Sequence, residues 1–505
     1  MLLAHDIGTT GDKASLHDDA GRVLAAVSVA YPTRYGAGGL VEQDPRDWWN
    51  AACEATRALL ATTGTPAAEI SAVGLSGQMM GAVLLDAKLE PVRPSLIWAD
   101  TRSGAQCRRL EQTVGRADAY RVTGHQLNPT YSLSKLMWVR DAEPAEFAAA
   151  AHFCLAKDFV VARLTGVVVT DPSDASSTNA YDQESGEWSA RLLAAAELPS
   201  SLFPRIVPST TVVGGVTAHA AERTGLRSGT PVVLGGGDGP LAAVGAGIVG
   251  PEDGAYAYLG SSSWVSLVTD QPVYDLPAMR TMSFDHVVPG RFVPTATMQA
   301  GAGSLAWIAE LLGTDPDKKE LSALLTEAGA AAAATEGLYF LPHLLGERSP
   351  YWNPAARGAF VGLSRHHGRA QLTRAVLEGV AFNLATCLGA FADNGAFGPR
   401  GTTPERVDAI GGGARSDVWL QILADVWGCT VRRRSIVEEA NSLGAAVTAG
   451  VGVGAFDGFV VARELSQVTA EFHPDPARSA DYERRHAIFL DAYDRLEPWF
   501  EQAAR

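Results

Sequence analysis

The chain has 505 residues, 47% of them hydrophobic and 19% charged, with a formal net charge of −15. Length and composition fit a globular α/β protein of two domains and exclude a disordered chain. The acidic balance sets aside nucleic acid, which is met through many Lys and Arg contacts to phosphates.

The chain opens with "MLLAHDIGTTGDKASLHDD", an apolar run, a turn and a second alternating run, which reads as strand, hairpin, strand. The turn gathers Asp6, Gly8, Thr9, Thr10 and Lys13. A carboxylate, a bare backbone position, two hydroxyls and an ammonium suit a polyphosphate with Mg²⁺, and an ordinary hairpin with polar tips presents the same pattern. "DPRDWWNAACEATRALLATT" reads as a helix and "ISAVGLSG" as a strand leading into Gln78. In "PSLIWADTRS", Trp98, Asp100 and Arg102 read either as a polyol-binding set or as a core tryptophan beside an ion pair. "TPVVLGGG" reads as a strand that ends on Asp238, flanked by glycines and followed by a small-residue helix. There Asp238 reads as a helix N-cap or as a general base facing a cleft, with the glycines leaving room for a substrate.

The glycine-dense stretch 235–254 ends in "GPEDG", which places a domain boundary near residue 250. Just past it, "GAYAYLGSSSWVSLVTD" repeats the opening pattern, with Gly260, Ser261 and Ser262 where Gly8, Thr9 and Thr10 stood and no Asp or Lys beside them. Two such hairpins suggest two related domains gripping one polyphosphate. The uncharged run Phe292–Ala309 is broken by Pro294, Gln299, Gly301 and Gly303 and is not read as a membrane span. "EAGAAAAATEG", near 327–337, reads as a helix end and loop without chemistry. "VDAIGGGARSDVWLQILADVWG" gives a strand, then Gly411, Gly412 and Gly413, then a helix that Ser416 or Asp417 could cap; bare backbone there suits a flat ring. This last cluster resembles a dinucleotide fingerprint but has Ser416 where G-x-G-x-x-G places its third glycine, and "GTTGDK" has the wrong spacing for a Walker A loop and leads into a strand. The pair His366–His367 and "VRRRS" at 431–435 read as solvated surface. Five widely spaced cysteines, with no C-x-x-C pair, read as buried thiols, and no apolar leader precedes His5 and Asp6, so the expectation is a cytoplasmic protein with no membrane partner.

With these residues in hand, the sequence resembles the FGGY family of carbohydrate kinases over nearly its whole length, most closely the xylulokinase-like branch. "DIGTTGDKA", "EQDPRDWW", "GLSGQMMGAVLLD", "IWADTRS", "KDFVVARLTG", "TDPSDASSTNAYD", "GGGDGPLAAVGAG", "LPHLLGERSPYWNPAARGAFVGL" and "GGGARSDVWLQILAD" carry the resemblance, in order. It implies two actin-like (RNase H-like) ATPase domains of α/β class around a central cleft, expected over residues 1–248 and 249–505. It also implies ATP and Mg²⁺ as cofactors, a small sugar as substrate, and a homodimer at the level of a family trait. By matching position, Asp6 organises Mg²⁺ and Asp238 is the base beside it. Thr9, Thr10 and Lys13 meet phosphates at the first loop, with Gly260, Ser261 and Ser262 at the second. Gly412 and Gly413 lie in the adenosine motif, and Gln78, Met79, Met80, Trp98, Asp100 and Asp238 face the sugar. Xylulokinases typically read "GQMHG" in the sugar loop, and this chain has Met80 at the histidine position. A thioether barely donates or accepts hydrogen bonds, so the departure bears on the identity of the sugar. Kinases for other ketoses, alditols or sugar acids, and a non-catalytic actin-like regulator, are the alternatives.

Overall fold

The structure is a computed structural model that describes residues 1–314, 318–332, 337–436 and 439–503. Its first sheet is built from β1 (Leu2–Ile7), β2 (Gly11–His17), β3 (Val23–Ala30), β4 (Ala72–Gly77), β5 (Val212–Gly215) and β6 (Pro231–Gly237), in the order β5-β6-β4-β1-β2-β3. The parallel strands β1 and β4 are buried along their whole length, as their near-continuous apolar sequences require. The outer β3 alternates half-buried and exposed residues, the mark of a strand with one face in water. Helix α1 (Pro45–Thr63) lies against β2 and β3. Asp44 starts it by accepting the Arg46 N–H, Pro45 suits the first turn, and Gly64 ends it in the left-handed region. The register between β6 and β4 shifts between Val233 and Gly236, where Gly235 has φ +73° and Leu75 O passes too close for any side chain. That bulge aims the end of β6 into helix α2 (Asp238–Gly245).

The second sheet is built from β7 (Ala255–Leu259), β8 (Ser263–Leu267), β9 (Met282–Asp285), β10 (Phe292–Met298), β11 (Arg406–Ile410), β12 (Thr430–Arg434) and β13 (Val468–Phe472), in the order β9-β10-β8-β7-β11-β12-β13. Its central order β10-β8-β7-β11-β12, with β7 antiparallel to β8 and parallel to β11, reproduces β3-β2-β1-β4-β6 of the first. This doubled arrangement is the actin-like (RNase H-like) architecture. The run Phe292–Ala309 divides into β10 and helix α3 (Ala302–Leu311). Helix α4 (Arg369–Asp393) is apolar and long enough to cross a bilayer, yet it is mostly buried in the second core, against α3 and α5 (Asp417–Trp427). Of the alanine-rich stretch near 327–337, a helix covers Lys318–Ala330, and residues 333–336 lie outside the described residues.

Helix α6 (Ala440–Gly452) belongs to the second half of the chain but packs on β1 and β4 of the first sheet. Glycine makes that possible: a Cβ on Gly74 would stand 2.4 Å from Ala445 O, and one on Gly444 2.2 Å from Leu241 O. The two halves therefore meet where α2 and α6 cross at bare backbone. All five cysteines are buried and unpaired. "VRRRS" is not the solvated surface expected of it. It lies largely in β12, where Arg432 and Arg434 both pair with the fully buried Asp408 of the neighbouring β11.

Candidate active site

The β1–β2 turn is held from behind by side chains of its own half. Gln43 Nε2 donates to Thr9 O at 2.6 Å, Gln78 Nε2 donates to Gly8 O at 3.2 Å and to Gln43 Oε1 at 2.8 Å, and the Tyr31 hydroxyl donates to Gly8 O. Trp48 fixes Gln43 in turn, its Nε1 donating to Gln43 Oε1 at 3.0 Å, so α1 supports the loop. Asp6 lies beneath the turn, 5% exposed, and accepts from Ser76 Oγ at 2.8 Å. Burial raises its pKa; Ser76, Lys13 and Asn441 of α6 oppose the rise.

Asp238 is the first residue of α2, with Gly237 as the N-cap, so the carboxylate opens the helix and does not cap it. Its Oδ1 accepts the Gly239 N–H at 2.8 Å. Burial first, and then the nearby charge of Asp6, push its pKa up to about 7, against the Gly239 hydrogen bond and the Arg348 charge. A carboxyl held near neutrality beside a cavity is suited to taking up a proton at working pH. The glycines around Asp238 serve different ends. A Cβ on Gly237 would stand 2.7 Å from the Met79 side chain and one on Gly236 2.4 Å from Val287, so these two allow close packing, whereas Gly239 lines the cavity and a Cβ there would meet only Met79 Sδ, at 3.8 Å.

Asp238 and Gly239 line a cavity of about 160 Å³ between the two halves. The first half adds Thr9, Met79, Met80 and Trp98; the second adds Ser262, Trp264, Met282, Phe284, Thr297 and Arg348, among others. Trp98 Nε1 donates to Thr9 Oγ1 at 2.9 Å, which ties this cavity to the first turn. Met80 adopts φ +65°, where a non-glycine residue is strained, and is held there by Ser177, whose Oγ accepts the Met80 N–H at 3.2 Å, and by Lys135, whose Nζ donates to Met80 O at 2.9 Å. Lys135 is itself fully buried, and burial lowers its pKa to about 7.

Two expected sugar-facing residues do not line this cavity. Asp100 is fully buried, and its carboxylate accepts the Val41 N–H at 2.8 Å and pairs with Arg102 at 2.8 Å, so the ion-pair reading holds. Gln78 is 2% exposed; its Nε2 donates to Gly8 and Gln43, and its buried Oε1 has no hydrogen-bond partner among the described residues.

A second cavity of about 890 Å³ adjoins the first. Lys13, Gly260 and Ser261 line it together with Gly411, Gly412 and Gly413. Gly411 has φ +85° and lies too close to Leu259 for a side chain, and Gly413 rests on Trp419 and Leu259. A Cβ on Gly412 would meet nothing within 4 Å and would protrude freely, so backbone forms this wall. Ser416, not Asp417, caps α5 by accepting the Trp419 N–H. The second turn is clamped by α3, Ala302 N donating to Gly260 O at 2.7 Å and Gly303 N to Ser261 O at 3.1 Å. Tyr258 of the large cavity stacks on Trp264 of the small one, centroids 4.1 Å apart and 7° from parallel, and the pair forms a shared wall. Thr10 is exposed and lines neither cavity.

Both cavities fit the groups the resemblance implies. An 890 Å³ space walled by glycine backbone, with hydroxyls and Lys13 at one end, suits a nucleotide polyphosphate. Two neighbouring carboxylates, Asp6 and Asp238, suit Mg²⁺, which keeps most of its water and needs only one or two protein carboxylates. Among the described residues no cluster of three or more His, Cys, Asp or Glu forms a self-sufficient metal cage. Sequence reasoning missed Gln43, Trp264 and Arg348. Their one signal was a place inside the quoted blocks "EQDPRDWW", "GSSSW" and "GERSP".

Residues 1–245 match the N-terminal domain of the FGGY family of carbohydrate kinases, and residues 255–453 match its C-terminal domain. The chain is 34% identical over 502 residues to the xylulose kinase of Escherichia coli, covering 99% of each. Among solved structures it is similar to a ligand-bound xylulose kinase from Lactobacillus acidophilus, with TM-score 0.91, 25% identity and 99% of each chain covered. It is equally similar to a gluconate kinase from that organism, with TM-score 0.91, 26% identity and 99% of each chain covered. With both domains of the family matched and 99% of the chain covered by a relative at 34% identity, the chain belongs to the FGGY family of carbohydrate kinases.

Proposed function

We propose that this sugar kinase transfers the terminal phosphoryl group of ATP to a primary hydroxyl of a small ketose, D-xylulose or a close relative. The observation that carries the reading is Asp238, a carboxylate with its pKa raised to about 7 at the mouth of α2, lining a small cavity beside both hairpin turns. In this reading Asp238 accepts the proton of the attacking hydroxyl and points that oxygen at the phosphoryl group, which is most of what phosphoryl transfer asks of a protein. Lys13 and the Thr9 hydroxyl hold phosphate oxygens from the first half; the Gly260–Ser262 turn offers N–H and O–H donors from the second. Asp6 and Asp238 would hold Mg²⁺, which would supply positive charge to the polyphosphate. The division at 248/249 is part of the proposal: the first half takes the sugar and the second the adenosine, on Gly412 and Gly413.

Cavity size supports a small substrate, since about 160 Å³ is on the scale of cavities that hold one small molecule. The sugar-acid alternative is kept by the equal structural likeness to the gluconate kinase. A coupled ADP-release screen over ketoses, alditols and aldonates tests both. Sugar-dependent ADP release strongest with D-xylulose or a related ketose supports the proposal; release strongest with an aldonate shifts it to the alternative; release with none overturns it.

A further inference from the structure

Arg348 is the one cation among the described residues lining the small cavity, and it does not line the large one. It comes from the second half of the chain, and its guanidinium carbon lies 5.4 Å from the Trp98 ring centroid, across the cleft on the first half. Its backbone is fixed by the preceding side chain. Glu347 is 4% exposed and accepts the Arg348 N–H at 2.9 Å, the Gln299 N–H at 2.8 Å and Asn383 Nδ2 at 3.3 Å, with His343 Nδ1 at 2.9 Å. The Arg348 Nε, shielded from solvent, has no hydrogen-bond partner among the described residues. An anchored backbone carrying an unpaired donor into a cavity is the arrangement expected of a ligand contact.

The neighbours say which ligand. Met79, Met80, Met282 and Phe284 cover much of the cavity and donate no hydrogen bond, yet a polyhydroxy substrate leaves oxygens that need donors once buried. Arg348 brings up to five N–H groups in a rigid fork. The large cavity has cations of its own, Lys13 and Arg415, so charge for the phosphates does not depend on Arg348.

We infer that Arg348 is a substrate-contacting specificity residue, donating hydrogen bonds to sugar oxygens other than the hydroxyl that Asp238 holds. This rests on the proposed sugar-kinase reading. Because the donor comes from the second half, the sugar site is complete only when the two halves are closed.

The test uses the full chain with ATP and Mg²⁺ and D-xylulose as the probe, comparing wild type, Arg348→Met and Arg348→Lys. Loss of a charged donor to a bound hydroxyl should raise the sugar KM roughly 10- to 100-fold, with kcat within about threefold and the ATP KM unchanged. Arg348→Lys should recover part of the loss, because it keeps the charge without the fork. Thermal melts identify any misfolded variant, and if Arg348→Met fails to fold, Arg348→Lys alone must still raise the sugar KM. An active wild type whose sugar KM is unchanged in both variants overturns this inference alone. A fall in kcat at unchanged sugar KM also overturns it, placing the guanidinium on the transferring phosphoryl group. A wild type that phosphorylates none of the ketoses, alditols or aldonates overturns the proposed function, and this inference with it.

Discussion

The β1–β2 and β7–β8 hairpins have the same strand pairing and the same place in their sheets, yet they are equipped differently. The first carries Asp6 and Lys13, with Gln43, Gln78, Tyr31 and Trp48 bracing it; the second has Gly260–Ser262, braced by backbone contacts from α3. The difference teaches how a doubled fold divides labour. Charge attracts a polyphosphate over roughly 10 Å at moderate ionic strength, whereas backbone and hydroxyl donors act only at contact distance. A first half that attracts and a second that fits only when closed would bind ATP in a closed cleft and release ADP from an open one. Two charges on the second half qualify the contrast: Arg348 lines the small cavity and Arg415 the large one.

The largest expected effect comes from the group between the two hairpins. Asp238→Asn should lower kcat by roughly 10² to 10⁴-fold, the range for losing a general base, while nucleotide binding by calorimetry is retained. The same variant should be the more stable protein at alkaline pH. The Asp238 pKa is raised on folding, so its contribution to stability is present below the ordinary carboxylate range and is lost as pH rises through about 7, a loss that asparagine avoids. Near-normal turnover by the purified variant would reduce Asp238 to a helix-start residue.

How much of this the sequence held is seen residue by residue. Both hairpins, α1, α5, β4 and β6 are legible because strand alternation, helix period and capping are local. Asp6, Thr9, Met79, Trp98 and Asp238 could be picked out for the same reason, each standing at the end of an apolar run. Arg434 could not be read as buried, since its partner Asp408 lies 26 residues away on an adjacent strand. Asp100 and Gln78 carry the right chemistry for a sugar, and only the tertiary structure shows the Asp100 carboxylate spent on Arg102 and Val41 and the Gln78 Nε2 on Gly8 and Gln43. Arg348 reaches Trp98 from 250 positions along the chain, a distance that no periodicity encodes.

Lys13→Ala sharpens the comparison between hairpins. A unit charge at ~4 Å from a phosphate oxygen is worth up to ~4 kcal/mol at an effective dielectric of 20, and exposure of Lys13 discounts that, so a loss of roughly 10- to 100-fold in kcat/KM for ATP is expected. Sugar affinity measured without nucleotide should not change; an equal loss there would place Lys13 outside the phosphate site.

Met80→His adds a donor to the sugar loop of the first half. It should raise kcat/KM for D-xylulose relative to whichever sugar the wild type prefers, by up to roughly tenfold for each 1.4 kcal/mol recovered. A wild type that already turns over D-xylulose best, with an unchanged ratio in the variant, would show that Met80 does not touch the distinguishing hydroxyl. The smallest effect belongs to the second hairpin. Ser262→Ala removes one neutral donor worth about 1 kcal/mol, or about fivefold in kcat/KM. A loss at Ser262 equal to that at Lys13 would erase the asymmetry between the hairpins.

The most direct measurement is the pH dependence of kcat/KM for sugar-dependent ADP release by the wild-type chain. The groups facing Asp238 are Asp6, which raises its pKa, and Arg348, which lowers it, with burial as the largest cause. A base must be unprotonated to act, so activity should be lost at acid pH, as pH falls through a pKa that stands at about 7 in the metal-free protein and that a bound Mg²⁺ would lower, with log kcat/KM dropping by about one for each pH unit below that point. Sugar-dependent turnover with that acid limb, moving to lower pH as Mg²⁺ is raised, is the expected result. A profile with no acid limb above the ordinary carboxylate range, or ADP release indifferent to sugar, would contradict a general base at Asp238.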